Sequence, residues 1–282
     1  MPIKKFFEFI LFTSIFVAGC AIALCMETNL LLGVPYNNFS FYAFVFGATI
    51  VQYNLHYIVK KVAAQNSERL RWTKKNKNVH LILLIAGSFL MVISLFSFHL
   101  EHFFILFILG CISFLYSFPF LPFGSKKRIK DYGVLKIITL ALLWTLVTVW
   151  FPVSGRAYDT GLYTFIFIKR FIFIFILCLL FDMRDIEVDR SEKINTLAVV
   201  LGRKKSYTLS YVLLFVFVLL SIAQYFYLPQ MEFLVAMLFS AVVTLITIVS
   251  TKKTNSDFIY LAGIDGMMLL QAILVFLFSV KL

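Results

Sequence analysis

Runs of about 20 apolar residues, separated by short polar stretches, recur from one end of the chain to the other. Roughly that many helical residues are needed to cross a ~30 Å hydrocarbon layer. The pattern predicts nine such helices, at about residues 6–26, 41–59, 79–98, 103–121, 134–152, 162–181, 207–227, 231–250 and 258–280. No Pro/Gly/Ser-rich linker and no stretch long enough for a soluble unit lies between them. The expectation is an all-α polytopic membrane protein, organised as a single domain over residues 1–282.

Composition strengthens this reading. Of the 282 residues 61% are hydrophobic and 34 are Phe, against roughly 45–50% apolar content in a soluble domain. The charge pattern adds a direction, because Lys and Arg are retained on the cytoplasmic side during insertion. With the N-terminus inside, 22 of the 26 cations fall on cytoplasmic segments: Lys4 and Lys5, the loop 60–78, Lys126 to Lys136, Arg184 to Lys205, and Lys252 and Lys253. Only Arg156, Lys169, Arg170 and Lys281 fall on or toward the other side, so the C-terminus is expected outside, in a multi-pass protein of the bacterial inner membrane. The net charge of +12 is thus first a topology signal that also suits anionic headgroups or a phosphorylated substrate. A nucleic-acid partner has little support, since the basic residues are divided among separate loops. Cys20, Cys25, Cys111 and Cys178 all lie inside predicted helices with no CxxC pair, and read as small apolar residues.

Ionisable and amide groups at membrane depth carry the functional signal. Asn54 and His56 in "QYNLHYIVKK" stand near the cytoplasmic end of the second span, either as interhelical hydrogen-bonding groups or as ligand contacts. In "LYSFPFLPFGSKKRIKDYG", Tyr116 precedes Pro119, Pro122 and Gly124, which end the helix before Lys126, Lys127, Arg128 and Lys130. Asp265 lies several residues inside the last span. The loop 60–77 reads as a solvated basic loop or as a lid that brings Arg69 or Arg71 to a phosphate.

The densest charge is "FDMRDIEVDR", residues 181–190, with six charged groups in ten positions. Asp182, Asp185 and Asp189 are at i, i+3 and i+7, which on one continuous helix places them within an arc of roughly 60°. Carboxylates in such a stripe repel one another unless a cation joins them, and their hard oxygens suit Mg²⁺ bridged to phosphate. Arg184 and Arg190 are positioned to pair with the acids or with a diphosphate. The other reading is a solvated helix end that only stops transfer.

"DMRDIEVDRSEKINTLAVVLGRKKS" (182–206) resembles the second aspartate-rich motif and following loop of the UbiA-type intramembrane prenyltransferases, through Arg184, Asp185, Asp189, Arg190, Thr196 to Val199, Leu201 and Gly202. "YSFPFLPFGSKKRIKDYGVLK" is similar to that family's loop after the fourth helix. The resemblance implies a UbiA-like bundle of nine helices around a central cavity open to lipid. It implies a Mg²⁺-dependent enzyme that moves a polyprenyl group from its diphosphate to a small acceptor, aromatic or a quinone precursor. In that scheme Asp182, Asp185 and Asp189 hold metal, with Asp185, Asp189 and His56 catalytic. Asn54, Tyr116, Lys126, Arg128, Lys130, Arg184 and Arg190 hold substrate. The sequence departs from the pattern at the first aspartate motif, which falls on "NLHYIVKKV": Asn54 is kept, but the three acidic positions read Leu55, Ile58 and Val62. No carboxylate occurs between Glu27 and Glu68, and Lys60 and Lys61 stand nearby. The alternative is therefore a noncatalytic member of the fold that binds an isoprenoid lipid or a membrane partner. A CDP-alcohol phosphotransferase is disfavoured, because Asp182 is followed by Met183 and the Asp-Gly-x-x-Ala-Arg opening is missing.

Overall fold

The computed structural model describes residues 2–59, 68–117, 132–254 and 256–279. The helices in chain order are α1 (Pro2–Phe12), α2 (Ile15–Leu31), α3 (Phe39–Val59), α4 (Glu68–Lys75), α5 (Lys77–Leu95), α6 (Leu100–Ser117), α7 (Gly133–Thr145), α8 (Thr160–Arg184), α9 (Ile186–Ser191), α10 (Leu197–Tyr227), α11 (Met231–Thr251) and α12 (Asp265–Ser279). A π-helical turn (Leu146–Trp150) and a 3₁₀ turn (Phe151–Val153) extend α7, and a π-helical turn (Ile259–Ile264) leads into α12.

Six described helical spans are long and apolar enough to cross a membrane, or seven when the bent pair α1–α2 is taken as one. The expected spans 41–59 and 103–121 fall on α3 and α6, and the count of nine goes beyond those seven. Outward-facing Phe89, Phe107 and Phe215 are well exposed, as suits side chains that meet lipid rather than water. The largest core joins α2, α7, α8, α10, α11 and α12 around Leu24, Phe173, Leu180, Phe217 and Tyr260. A second, around Phe41, Phe44 and Phe151, joins α2, α3 and α6.

Two further breaks were not expected from the apolar runs. The run 6–26 is broken at Thr13–Ser14, where Ser14 takes φ 66° and the two halves meet at 65°. The break frees carbonyl groups that water cannot reach, and side chains from elsewhere satisfy them. Asn54 Nδ2 donates to Thr13 O (3.1 Å), and Arg69 Nη2 donates to Phe12 O (3.3 Å) and to Ser14 Oγ (2.8 Å). The run 207–227 begins earlier, at Leu197, and is interrupted at Gly202, whose φ of 75° and ψ of 160° suit glycine far better than any residue with a Cβ. Thr196 caps the first piece, its Oγ1 accepting from Val199 N at 3.4 Å. These two residues give the "TLAVVLG" stretch its turn-in and turn-out.

Lys169 and Arg170, expected toward the outer side, lie buried inside α8. Arg170 Nη2 meets Glu27 Oε1 of α2 at 3.0 Å, and Lys169 Nζ lies 5.9 Å from the Phe217 ring centroid. Helix α8 starts at Asp159, whose carboxylate accepts from Leu162 N (2.6 Å) and from the Tyr227 hydroxyl (2.9 Å). Those donors hold its carboxyl below the ordinary carboxylate range.

Candidate functional site

The candidate site lies where α7 begins and α8 ends. Helix α8 stops at Arg184 because Asp185 leaves the helical region (φ −92°, ψ 5°), and α9 then restarts at Ile186. After α9 the chain reverses through Lys193 at φ 57°, with Ile194 N donating to Asp189 O at 2.8 Å. This reversal brings Asn195 and Thr196 against the first turn of α7. A Cβ on Gly133 would collide with the backbone carbonyl of Asn195 and stand 2.6 Å from Thr196 N, so only glycine permits the approach.

One turn further along α7, Lys136 reaches into the angle between α8 and α9. Its Nζ donates to Asp182 Oδ1 at 2.8 Å and lies 3.8 Å from Asp189 Oδ2. Both carboxylates are buried, at 5% and 7% exposure, which makes the ammonium their main compensation. Among the described residues, Asp182 Oδ2 and Asp189 Oδ2 have no hydrogen-bond partner. Burial pushes the Asp189 carboxyl up from its ordinary range, with the Lys136 charge opposing that push. Tyr116, at the end of α6, lies within electrostatic range of Lys136.

Asp185 belongs to a different network. Arg184 grips it through Nε to Oδ1 (2.8 Å) and Nη2 to Oδ2 (3.3 Å), and reaches Asp257 Oδ1 through Nη1 at 3.4 Å. The guanidinium lies 5.3 Å from the Phe181 ring centroid and 5.0 Å from that of Tyr260, within cation–π range of both. Asp257 also accepts from the backbone N–H of Arg69 at 3.2 Å, so this network joins α4, α8 and the approach to α12.

The expected single stripe of carboxylates is therefore corrected. The helix breaks at the middle aspartate, leaving Asp182 and Asp189 on Lys136 and Asp185 on Arg184. Arg190 pairs with Glu187 at 3.5 Å on the exposed side of α9, away from the buried pair. Asn54 is fully buried, with Nδ2 donating to Thr13 O and to Ile50 O (2.8 Å) and Oδ1 2.5 Å from His80 Nδ1. Since the amide nitrogen faces two carbonyls, its oxygen accepts and His80 carries the hydrogen on Nδ1. Arg69 is likewise engaged at the α1–α2 break. Lys126, Arg128 and Lys130, with Lys60 and Lys61, lie outside the described residues, as does the side chain of His56.

Lys136, Asp257 and His80 were not singled out from the sequence. Lys136 carries a signal in hindsight: in "GVLKIITLALLW" it is the only charge in the first turns of an apolar span. Asp257 has no such mark.

A resident Mg²⁺ was tested against this donor set. Among the described residues no three His, Cys, Asp or Glu side chains converge as metal ligands. The Lys136 ammonium already stands between the two carboxylates, and the opposing acids of a first motif are missing from the sequence. The described residues do not fit a metal pair.

A bundle of long apolar helices with a broken, acid-rich helix end defines the class, an all-α intramembrane protein of UbiA-like fold. The chain matches the UbiA prenyltransferase family over residues 71–262, and it belongs to that family. Solved structures agree. A UbiA homolog from Archaeoglobus fulgidus bound to Cd²⁺ superposes with a TM-score of 0.64 at 15% identity, over 97% of this chain and 100% of that one. The same homolog bound to GPP and Mg²⁺ gives 0.62 at 13%, with the same coverage. A digeranylgeranylglyceryl phosphate synthase gives 0.59 at 14%, over 99% and 100%. At such identities these likenesses speak for the fold. No curated protein sequence matches the chain.

Proposed function

We propose that this protein transfers a polyprenyl group from its diphosphate to a small acceptor, aromatic or a quinone precursor, within the plane of the membrane. The observation that supports this reading most is the family match, which takes in the retained "DMRDIEVDR" turn with Asp182 and Asp189 buried on Lys136. Breaking the allylic C–O bond places negative charge on the departing diphosphate, and fixed cations at that point lower the barrier. Lys136 and Arg184 stand at this end of the bundle, and the sequence adds Lys126, Arg128 and Lys130. The family's Mg²⁺ supplies charge neutralisation when bound. Because the described donors do not fit a metal pair, no step is assigned to it here. By the charge pattern this end faces the cytoplasm and the chain enters the membrane from that side.

The loss of the first acidic motif, with Lys136 seated between the remaining aspartates, favours one second reading: a member of the fold that binds an isoprenoid diphosphate without turning it over. The deciding experiment incubates detergent-purified protein with geranyl and longer prenyl diphosphates and a panel of phenolic acceptors, following pyrophosphate release. Turnover abolished by Asp189→Asn supports the transferase. Saturable binding with no release at any chain length supports the second reading, and indifference of both binding and release to Asp189→Asn overturns the assignment of the site.

A further inference from the structure

We infer that Lys136 is a built-in counter-ion that takes the place of a divalent cation between Asp182 and Asp189, so that this site engages an anionic diphosphate without Mg²⁺.

Two independent features of the chain point the same way. The first is subtraction. The segment from Glu27 to Glu68 contains no carboxylate, so the acids that would face Asp182 and Asp189 across a metal pair are absent. Mg²⁺ demands near-octahedral oxygen ligation and dehydrates reluctantly, so two carboxylates on one side of a site make a poor cage for it. The second is addition. Lys136 bridges both aspartates, 2.8 Å from one and 3.8 Å from the other, and Asp182 is 5% and Asp189 7% exposed. Its placement is built into the backbone. Gly133 is pressed against Asn195 and Thr196, the chain that immediately follows α9, so the start of α7 is registered to the element that carries Asp189.

An ammonium differs from Mg²⁺ in ways that matter here. It is a single charge with three donors that needs no ligand cage, and it is tethered. A metal entering between these carboxylates must displace a buried cation and leave it beside a divalent one, which opposes binding on both counts. Asp189 Oδ2, without a hydrogen-bond partner among the described residues, does not reverse this, because it lies 3.8 Å from the same ammonium. Anion binding at this end then does not wait for a metal held by these two aspartates.

The test measures binding, with two arms. In the first, detergent-purified wild type, Lys136→Arg and Lys136→Met are titrated with MgCl₂ alone and followed by thermal shift. Wild type and Lys136→Arg should show no saturable response at millimolar Mg²⁺, whereas Lys136→Met should gain one, at least ~10-fold tighter and lost again in Lys136→Met/Asp189→Asn. Should Lys136→Met not fold, wild type and Asp189→Asn carry the arm, and equal indifference to Mg²⁺ is the expected result. A wild-type Mg²⁺ response removed by Asp189→Asn overturns the inference. In the second arm, wild type is titrated with inorganic pyrophosphate and with geranyl diphosphate, in EDTA and in Mg²⁺. Affinities within about threefold of each other are expected. A loss of tenfold or more in EDTA overturns the inference. This arm rests on the prenyl-diphosphate reading: absence of binding in both buffers defeats that reading, while the Mg²⁺ arm still decides the role of Lys136.

Discussion

Helix α8 carries two buried groups of charge with opposite excess. Near its middle, Arg170 pairs with Glu27 at 3.0 Å and Lys169 lies alongside, two bases to one acid. At its end, Lys136 serves Asp182 and Asp189, two acids to one base. Twelve residues separate Arg170 from Asp182, roughly 18 Å at 1.5 Å per residue. The first group is sealed, its paired side chains 1–2% exposed, and it pins α2 to α8. The second is reached from the bundle's end, with the Lys136 side chain 25% exposed, and it ties α7 to α8 and α9. One kind of interaction thus does two jobs. Deep in the bundle it is a clamp between helices, and at the more exposed end it sets the charge of the candidate site.

Substitutions that remove one partner at a time sharpen this contrast, and their effects should fall with exposure. The largest belongs to Arg170→Leu, which leaves Glu27 buried without its hydrogen-bonded partner and should cost about 3–5 kcal/mol in detergent unfolding. The double variant Glu27→Leu/Arg170→Leu should recover part of that loss, because Lys169 is then the one charge left in the buried group. A double variant as unstable as the single would mean that shape rather than charge holds α2 to α8.

Next comes Lys136→Met, expected to cost about 2 kcal/mol, the order of a lost hydrogen bond to a buried charged group. Gly133→Ala should cost at least as much, at or above the roughly 1–3 kcal/mol of an overpacked core because its Cβ meets backbone, and it displaces Lys136 with no change of charge. If Gly133→Ala leaves unfolding untouched, the contact with Asn195 is not what registers α7. Arg184→Gln follows at about 1 kcal/mol, since its pair with Asp185 is a fifth to a quarter exposed and partly screened. A loss as large as that of Arg170→Leu would show that the cation–π contacts with Phe181 and Tyr260 matter more than exposure does.

The order of these effects follows what was legible in the sequence and what was not. Apolar runs near 20 residues gave the helices, because their length is fixed by the bilayer. "RDIEVDR" and "TLAVVLG" gave the family, because Asp185, Thr196 and Gly202 each hold a local backbone feature. The helix break at Asp185 was missed, since i, i+3, i+7 spacing assumes a continuous helix and nothing in "MRDIEV" announces its end. The break at Ser14 was missed for a related reason. The residues that make it tolerable, Asn54 and Arg69, lie about 40 and 55 positions away in sequence. Lys136 was counted as a topology charge, and only the fold shows which acids it meets.

The smallest effect should belong to Arg190→Ala, and it tests the contrast from the other side. Sequence reasoning placed Arg190 on the diphosphate, as the last residue of the motif. In the structure its side chain is 60% exposed and its partner Glu187 is 74% exposed, one turn along α9 at 3.5 Å. A pair of that kind contributes little, so unfolding should change by no more than ~0.5 kcal/mol. Affinity for geranyl diphosphate should stay within about threefold of wild type, because the nearest buried acids are already served by Lys136 and a surface cation acts through water. The two readouts matter together. Unchanged stability with affinity lowered tenfold or more would mean that α9 turns when the anion binds and carries Arg190 inward. Buried and surface cations would then be two states of one site, and exposure in the unliganded protein would no longer rank the charges that act on the ligand.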